Sequence, residues 1–341
     1  MDKVDLDWGN IGFQYRKTDY RYLAYWKDGR WGAGALDAGN RVTISEGSTI
    51  LHYGQGCFEG LKAQTTPDGR VVLFRPDQNA KRLNVSARRI LMPDVPEAMF
   101  LDACVQVVQA NLRWVPPHGS GAALYLRPYL VGIGDNIGLK PAPEYLFSIF
   151  VCPVGPYFKG GFTPITLTTT EYDRAAPMGT GAVKVGGNYA ASALPHELAV
   201  QAGYADCIYL DPKTHSSIDE VGTSNFFGVT HEQTFVTPKS PSILPSITKY
   251  SLMHIAAQYL GLNVAERPVP IDRLAELAEA GACGTAAVIV PIGGIYHNGK
   301  LYTFYHDGKE AGPVTQKLYA TLTAIQRSEA QTPAGWLVEV K

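Results

Sequence analysis

A stretch rich in glycine and proline interrupts the chain near its middle, at residues 153–161, Pro-Val-Gly-Pro-Tyr-Phe-Lys-Gly-Gly. It has no helical or strand periodicity, which is typical of turns and linkers. The 341 residues also exceed the roughly 250–300 at which single hydrophobic cores stop growing. The sequence therefore predicts an N-terminal domain over residues 1–152, a linker at 153–161 and a C-terminal domain over 162–341.

Composition and charge exclude several classes of partner. Hydrophobic residues make up 45% and charged residues 18% of the chain, as in ordinary globular proteins. Thirty basic against 31 acidic residues leave a net charge of −1, which offers no broad positive field to nucleic acid or anionic lipid. No run approaches the ~20 apolar residues that cross a bilayer. We therefore expect a protein that binds small molecules, with neither nucleic acid nor a membrane as partner.

The five cysteines are widely spaced, without a Cys-x-x-Cys pair: Cys57, Cys104, Cys152, Cys207 and Cys283. This pattern argues against a disulfide framework and against a metal site. The first eight residues are also acidic where a secretory signal would be basic. Buried, reduced cysteines and a cytoplasmic location are the expectation.

Hydrophobic periodicity indicates a first domain with two helices and a sheet, and a mixed α+β second domain. In the first, a strand at 71–74 precedes helical patterns at 76–91 and 96–114, and strand-like runs follow at 122–133 and 145–154. In the second, strands are predicted at 164–174, 206–211, 216–230, 234–238 and 286–296, and helices at 188–202, 245–261, 271–280 and 313–327. A mostly antiparallel sheet or pseudo-barrel is the expected core of the second domain.

Three features could carry chemistry. Lys184 lies among glycines in the segment 179–189, where it is either a solvated loop lysine or one presented to a ligand. Glu220 lies in an apolar, strand-like run, and a half-buried carboxylate needs a partner. The segment 244–249 opens a helix whose free N–H groups and dipole favour a phosphate, although an ordinary serine cap explains it equally well.

Together these features match the needs of pyridoxal phosphate. That cofactor requires a lysine for its imine, a charged group opposite its pyridine nitrogen and several donors around its phosphate. Arg82 could supply a guanidinium to the phosphate. Its basic neighbours Lys81, Arg88 and Arg89 show that a solvated helix face is the alternative.

Seven motifs, in order along the chain, resemble those of the branched-chain aminotransferases within the class IV aminotransferases. They lie at 51–62, 73–76, 125–128, 183–189, 219–225, 244–248 and 284–287. The resemblance implies a fold-type IV pyridoxal-phosphate enzyme of the α+β class, with a smaller α/β N-terminal domain and a larger C-terminal cofactor-binding domain containing a pseudo-barrel sheet.

The resemblance also implies roles for individual residues. Lys184 would be the Schiff-base lysine and proton carrier, and Glu220 would face the pyridine nitrogen. The remaining cofactor ligands would be Arg82, Tyr189, Asn225, the N–H groups of Ile247 and Thr248, and Thr285.

On the substrate side, the resemblance places Tyr125, Thr285 and Ala286 at the α-carboxylate, and Tyr53 and Phe58 along the apolar side-chain pocket. Arg127 would meet the distal carboxylate of glutamate, although an arginine in an apolar strand could equally make a structural ion pair. Ile137 and Leu139 would reach the site of a neighbouring subunit, which implies a homodimer.

The implied activity is reversible amino transfer between L-leucine, L-isoleucine or L-valine and 2-oxoglutarate, by a ping-pong mechanism through pyridoxamine phosphate. Two alternatives stay open. The first is another enzyme of this fold, such as a D-amino-acid or R-amine transaminase or an aminodeoxychorismate lyase. The second is a non-catalytic protein that binds a phosphorylated ligand.

Overall fold

The computed structural model describes residues 3–156 and 162–341, which form two compact units. The first unit comprises the described residues of Met1–Lys159 together with Val183–Gly186 and Ile325–Lys341. The second comprises those of Gly160–Ala182 together with Gly187–Ala324. Residues 157–161 of the predicted linker lie outside the described part of the chain. None of the described helices has the length and apolar character needed to span a membrane.

The first unit is a sheet whose described strand pairings are all antiparallel, with helices packed against it. Its strands are β1 (Arg21–Lys27), β2 (Arg30–Trp31), β3 (Ala35–Asp37), β4 (Gly56–Phe58), β5 (Leu61–Thr65), β6 (Val71–Phe74), β7 (Ala123–Ile133) and β8 (Glu144–Val154). Its helices are α1 (Thr49–Tyr53), α2 (Pro76–Arg89) and α3 (Glu97–Ala110), followed by a 3-10 turn at Leu112–Trp114. The long strands β7 and β8 pair antiparallel along their whole length and form the middle of the sheet.

The apolar faces predicted for the two long helices are confirmed. On α2, Ala80, Leu83 and Ala87 are buried, and the face of α3 that includes Phe100 and Val107 is fully buried against the sheet. Leu91, the last residue of the helical pattern predicted at 76–91, is exposed because α2 ends at Arg89 and the Leu91 backbone has a positive φ of 56°.

The second unit contains the remaining elements. They are β9 (Ile165–Thr169), α4 (Gly186–Gln201), β10 (Cys207–Leu210), β11 (Ile218–Val221), β12 (Ser224–Thr230), β13 (Thr234–Thr237), α5 (Ile247–Gln258), β14 (Asn263–Glu266), β15 (Leu277–Gly284), β16 (Val288–His297), β17 (Lys300–Thr303) and α6 (Pro313–Gln326). Two 3-10 turns lie at Ile271–Glu276 and Tyr305–Gly308. The last strand, β18 (Leu337–Val340), pairs with β6, so the C-terminal segment returns to the first unit although the sequence placed all of 162–341 in one domain.

Six strands of the second unit close into a barrel, as predicted. Their order is β11-β10-β9-β16-β15-β12, and β12 pairs back to β11. Closure of the ring gives hydrogen-bond partners to the backbone N–H and C=O groups that the two edge strands of an open sheet would expose. The pairings β9–β10 and β9–β16 are parallel and the others around the ring are antiparallel.

Two predicted elements differ in the structure. The helix predicted at 271–280 is wrong, because the chain makes a short 3-10 turn and then β15, which pairs on both sides with β12 and β16. Ile271, Leu274 and Leu277 imitate helical spacing, but strand pairing overrides it. The single strand predicted at 216–230 is the hairpin β11–β12, broken at Gly222, whose φ is +50°.

A buried carboxylate holds the start of α6. Glu279, 5% exposed, accepts hydrogen bonds from the N–H groups of Val314 and Thr315 and from the Thr315 hydroxyl, at 3.0, 2.7 and 2.7 Å. Gly312 makes room for it, since a Cβ there would lie 2.1 Å from the Glu279 carboxyl carbon. A carboxylate is favoured at this helix end by the unpaired N–H groups and the dipole.

Glu279→Ala is expected to lower the free energy of unfolding by about 2–4 kcal/mol, because it removes the cap and leaves buried donors without partners. Urea denaturation, monitored by circular dichroism, measures the change in the free energy of unfolding. Glu232→Ala, at an exposed turn, is the control and should stay within about 0.5 kcal/mol of the parent. Equal effects of the two substitutions would contradict this role of Glu279.

Candidate active site

The main chain around Lys184 is held firmly while its side chain is only half-buried. The Lys184 N–H donates to the Ser86 hydroxyl at 2.9 Å, and its carbonyl accepts from the Phe58 N–H at 3.1 Å. Val185 forms a bridge with Cys57 next to it. The Lys184 Nζ lies 4.7 Å from the centroid of the Phe58 ring. Lys184 is therefore held in position on a fixed loop, and the alternative of a solvated loop lysine does not apply.

Arg127 lies in an aromatic enclosure in the same unit. Its guanidinium carbon is 5.0 Å from the centroid of Phe58 and 5.2 Å from that of Tyr125, and its Nη2 donates to the Tyr125 hydroxyl at 3.2 Å. Its Nε is buried without a hydrogen-bond partner. Within the described residues no carboxylate lies within ion-pair distance of Arg127. A structural ion pair is thus not its role here, and the cation has unused capacity for an anion.

Glycine shapes this enclosure. A Cβ at Gly60 would lie 2.0 Å from the Tyr125 hydroxyl, so a side chain at this position would displace Tyr125. The Tyr125 ring also meets Phe13 edge-on, with the centroids 5.3 Å apart. The position of the Tyr125 hydroxyl next to Arg127 therefore depends on Gly60.

Arg82 is paired in this unit and is not a solvated helix residue. Its Nε and Nη2 donate to the two oxygens of Glu59, each at 2.7 Å, and Glu59 is fully buried. Asn79 donates to the same carboxylate at 2.7 Å. The bidentate pair uses one edge of the guanidinium and fixes its plane, which leaves the opposite edge facing away from Glu59.

The predicted cross-subunit residues form a separate exposed group. Tyr53, 43% exposed, donates its hydroxyl to the carbonyl of Ile137. The side chains of Ile137 and Leu139 are 93% and 87% exposed, which is unusual for large apolar groups on one short loop. The structure thus brings Phe58, Tyr125, Arg127 and Lys184 together, and places Tyr53 with the loop.

In the second unit, Glu220 and Asn225 both bind the backbone of Leu244. They face each other across the β11–β12 pair. Glu220 Oε1 accepts the Leu244 N–H at 2.7 Å, and the Asn225 amide donates to the Leu244 carbonyl at 3.1 Å. Both side chains are about 95% or more buried. Asn225 therefore positions the segment that leads into α5.

The first turn of α5 has two backbone N–H groups that are available to an anion. Ser246 is the N-cap, and its hydroxyl accepts the Lys249 N–H at 3.1 Å. Among the described residues, the N–H groups of Ile247 and Thr248 have no acceptor, as the first turn of a helix requires. The serine cap and the anion-binding geometry predicted for this helix therefore coexist, because the cap occupies a different N–H group.

The other predicted site residues lie on two turns of this unit. Tyr189 is half-buried in the first turn of α4, and Asn188 beside it exchanges hydrogen bonds of 2.8 Å with Thr180. Thr285 and Ala286 lie half-buried in the tight turn between β15 and β16. Val288 closes that turn with a φ of 67°, a strained value for a β-branched residue.

A sequence profile of the class IV amino-transferase family matches residues 56–295. The chain belongs to the class IV aminotransferases. It is similar to the branched-chain-amino-acid aminotransferase of Haemophilus influenzae, with 60% identity over 99% of both chains, and to that of Helicobacter pylori, with 55% identity over 98% of both. Its fold matches the branched-chain amino acid aminotransferase of Escherichia coli with a TM-score of 0.79 and 27% identity, over 95% of this chain and all of the other. The predicted fold-type IV architecture is thereby confirmed.

Two residues of this class IV aminotransferase carry contacts that the sequence did not assign. Glu59 holds Arg82, and its only signal in the sequence is that it is the one acidic residue of the motif at 51–62. Arg174 forms an ion pair with Glu220, 3.3 Å from Nε to Oε2, with 8% of its side chain exposed. The strand predicted at 164–174 ends at Thr169 in the structure, and Arg174 lies in the irregular segment that follows it.

Proposed function

We propose that this chain is a branched-chain-amino-acid aminotransferase that uses pyridoxal phosphate to transfer the amino group between leucine, isoleucine or valine and 2-oxoglutarate. The observation that carries the proposal is Arg127, a cation that has no carboxylate partner among the described residues and lies in an enclosure of aromatic rings with Lys184 at the Phe58 ring. Such an enclosure accepts an apolar side chain, and its cation also accepts the second carboxylate of glutamate. The names of the two bacterial relatives agree with this activity.

The donor set fits a phosphorylated pyridine. The N–H groups of Ile247 and Thr248 at a helix start suit a phosphate, and the outer edge of the Arg82 guanidinium is a second candidate. Glu220 is buried, held through Oε1 by the Leu244 N–H, and suits a protonated ring nitrogen. Pyridoxal phosphate, when bound, supplies a carbonyl that takes up the amino group and a ring that accepts electron density.

The residues of this chain supply binding and proton transfer. We assign Lys184 Nζ to hold the cofactor covalently and then to carry the proton released from the substrate Cα. Tyr189 is assigned to the ring hydroxyl and Thr285 to the phosphate. Asn225 is assigned to the cofactor site through its hydrogen bond to the Leu244 carbonyl, which positions the segment that leads into α5. The Tyr125 hydroxyl and the Thr285–Ala286 turn are assigned to the substrate α-carboxylate, with Phe58 and Tyr53 along its side chain.

A substrate screen tests the activity directly. Purified protein supplied with pyridoxal phosphate is assayed with L-leucine, L-isoleucine and L-valine against 2-oxoglutarate, and with D-amino acids and R-amines as competing donors. Turnover of the three L-amino acids supports the proposal. Preference for D-amino acids or R-amines would assign another enzyme of this fold, and a colourless protein without turnover would indicate a mere ligand-binding role.

Glu220→Gln keeps the shape of the side chain and its bond with Leu244, but removes the charge. We expect the amino-transfer rate to fall by about a hundredfold, because preorganised charge in a buried site stabilises the transition state by this order. Stopped-flow measurement of the leucine half-reaction gives the rate, with Glu232→Gln as the exposed control. An unchanged rate would make Glu220 a structural carboxylate.

The chain is further proposed to act as a cytoplasmic homodimer. Ile137 and Leu139 are too exposed and too apolar to be explained by the first unit alone, and a second copy would cover them. All five cysteines are buried free thiols, in keeping with a reducing compartment.

A further inference from the structure

Arg174 joins three segments of the second unit through one guanidinium. Its Nε lies 3.3 Å from Glu220 Oε2, on β11. Its Nη2 donates to the carbonyl of Gly181 at 2.9 Å and to the carbonyl of Ser242. Gly181 lies just before Lys184 in the chain, and Ser242 lies just before the segment that opens α5.

The two carbonyls that accept hydrogen bonds from Arg174 belong to backbone segments in close contact. A Cβ at Gly181 would lie 2.1 Å from the Ser242 carbonyl oxygen, so only glycine allows this approach. Two carbonyl oxygens pointing at one place repel each other unless a donor lies between them. The Arg174 fork supplies that donor, which makes the arginine a requirement of the local geometry.

The charge of Arg174 acts on two buried carboxylates, although it forms an ion pair with Glu220 alone among the described residues. Asp219 and Glu220 are each 3% exposed. Burial raises the pKa of Asp219, while its hydrogen bonds with Ser242 and Ser240 and the charge of Arg174 act in the opposite direction. Two neighbouring buried carboxylates without a cation would be costly.

The contact with Glu220 has an unusual form. The Arg174 Nε is within ion-pair distance of Oε2 but makes no aligned hydrogen bond with any described residue. Oε1, in contrast, accepts the Leu244 N–H at 2.7 Å. Arg174 thus compensates the charge on Oε2 and limits its direction without holding that oxygen in a strong hydrogen bond.

Resting on the proposed function, we propose that Arg174 is a positioning residue that keeps the Glu220 carboxylate ionised and aimed at the pyridine nitrogen of pyridoxal phosphate. It acts through Glu220 and touches neither cofactor nor substrate. The same guanidinium ties the segment before Lys184 to the segment before the α5 phosphate donors. One side chain therefore sets the relative placement of parts assigned to the ring nitrogen and to the phosphate.

The test measures retention of pyridoxal phosphate by the holoenzyme, through loss of its visible absorption on dialysis, and the position of that absorption band. The variants are Arg174→Gln, Arg174→Lys, Glu220→Gln and Arg174→Gln with Glu220→Gln. Arg273→Gln, which removes an exposed ion pair with Glu276, is the matched control. Thermal unfolding accompanies each measurement.

Arg174→Gln is expected to weaken cofactor retention by about 10–100-fold, the usual effect of removing a partner that orients a ligating group, and to shift the absorption band. Arg174→Lys should recover part of both effects because it keeps the charge. On the Glu220→Gln background, Arg174→Gln should weaken retention severalfold less than it does on the parent, because only the effect of its bonds to the Gly181 and Ser242 carbonyls then remains.

Equal effects of Arg174→Gln on both backgrounds, or no effect on the parent, would overturn the inference. If Arg174→Gln alone does not fold, Arg174→Lys with and without Glu220→Gln gives the same comparison. The proposed function fails by a different result: parent protein in which borohydride reduction leaves no pyridoxyl group on Lys184. If Lys184 of the parent protein is labelled normally but the losses of cofactor retention caused by Arg174→Gln and Glu220→Gln are additive, the role of Arg174 is wrong and the proposed function stands.

Discussion

Lys184→Ala is expected to leave a folded protein whose amino-transfer rate is lower by at least about a hundred- to ten-thousandfold, the range that a positioned proton-transfer group contributes. The fold should survive because Lys184 is anchored by its main chain, through Ser86 and Phe58, and the half-buried side chain leaves no core cavity. Turnover in steady state and circular dichroism measure the two parts of this expectation.

Two further substitutions sharpen the Lys184 experiment. Lys184→Arg keeps the positive charge near the Phe58 ring but cannot form the covalent link, so it should be as inactive as the alanine variant. Lys213→Ala removes an exposed loop lysine of the second unit and should retain full turnover. Turnover by Lys184→Ala above a few per cent of the parent would rule out the covalent role of Lys184.

Arg127→Met should separate the two half-reactions. Leaving the distal carboxylate of glutamate unpaired in a buried site costs roughly 3–5 kcal/mol, and each ~1.4 kcal/mol is tenfold in rate. The glutamate half-reaction should therefore slow by about two to three orders of magnitude. Leucine carries no distal charge, and methionine fills the space between Phe58 and Tyr125, so its half-reaction should change by roughly tenfold or less.

Single-turnover measurements distinguish the two effects, because each half-reaction starts from a different form of the cofactor. Arg70→Met removes an exposed arginine that pairs with Asp68 in the same unit, and it should affect neither half-reaction. Equal losses with leucine and glutamate would show that Arg127 supports the enclosure or binds the α-carboxylate common to both substrates. The selective role proposed for Arg127 would then be wrong.

The Arg127 case shows where reasoning from sequence ends. The sequence identifies an arginine in an apolar strand and leaves two explanations, an ion pair or a substrate contact. Only the folded chain shows which groups surround it, because Phe58 comes from β4 and Tyr125 from β7, and these strands pair. The absence of a carboxylate near Arg127 within the described residues decides against the ion pair.

Helices and their ends were predictable because they depend on neighbours in the chain. The buried faces of α2 and α3, the serine cap of α5 and the glycine-rich loop around Lys184 all follow from residues a few positions apart. The 271–280 segment had the same local pattern and became a strand, because β12 and β16 offered pairing on both sides.

What the sequence by itself determined is the set of local elements, the order of the family motifs and the identity of Lys184 and Glu220 as candidates. What only the tertiary structure decided is which charges meet: Glu59 with Arg82, and Arg174 with Glu220. The pairing of β18 with β6 and the closure of the barrel were likewise decided only by the tertiary structure. Periodicity reports how one segment divides between core and solvent, whereas a pairing depends on two distant segments whose relative position arises only when the chain folds.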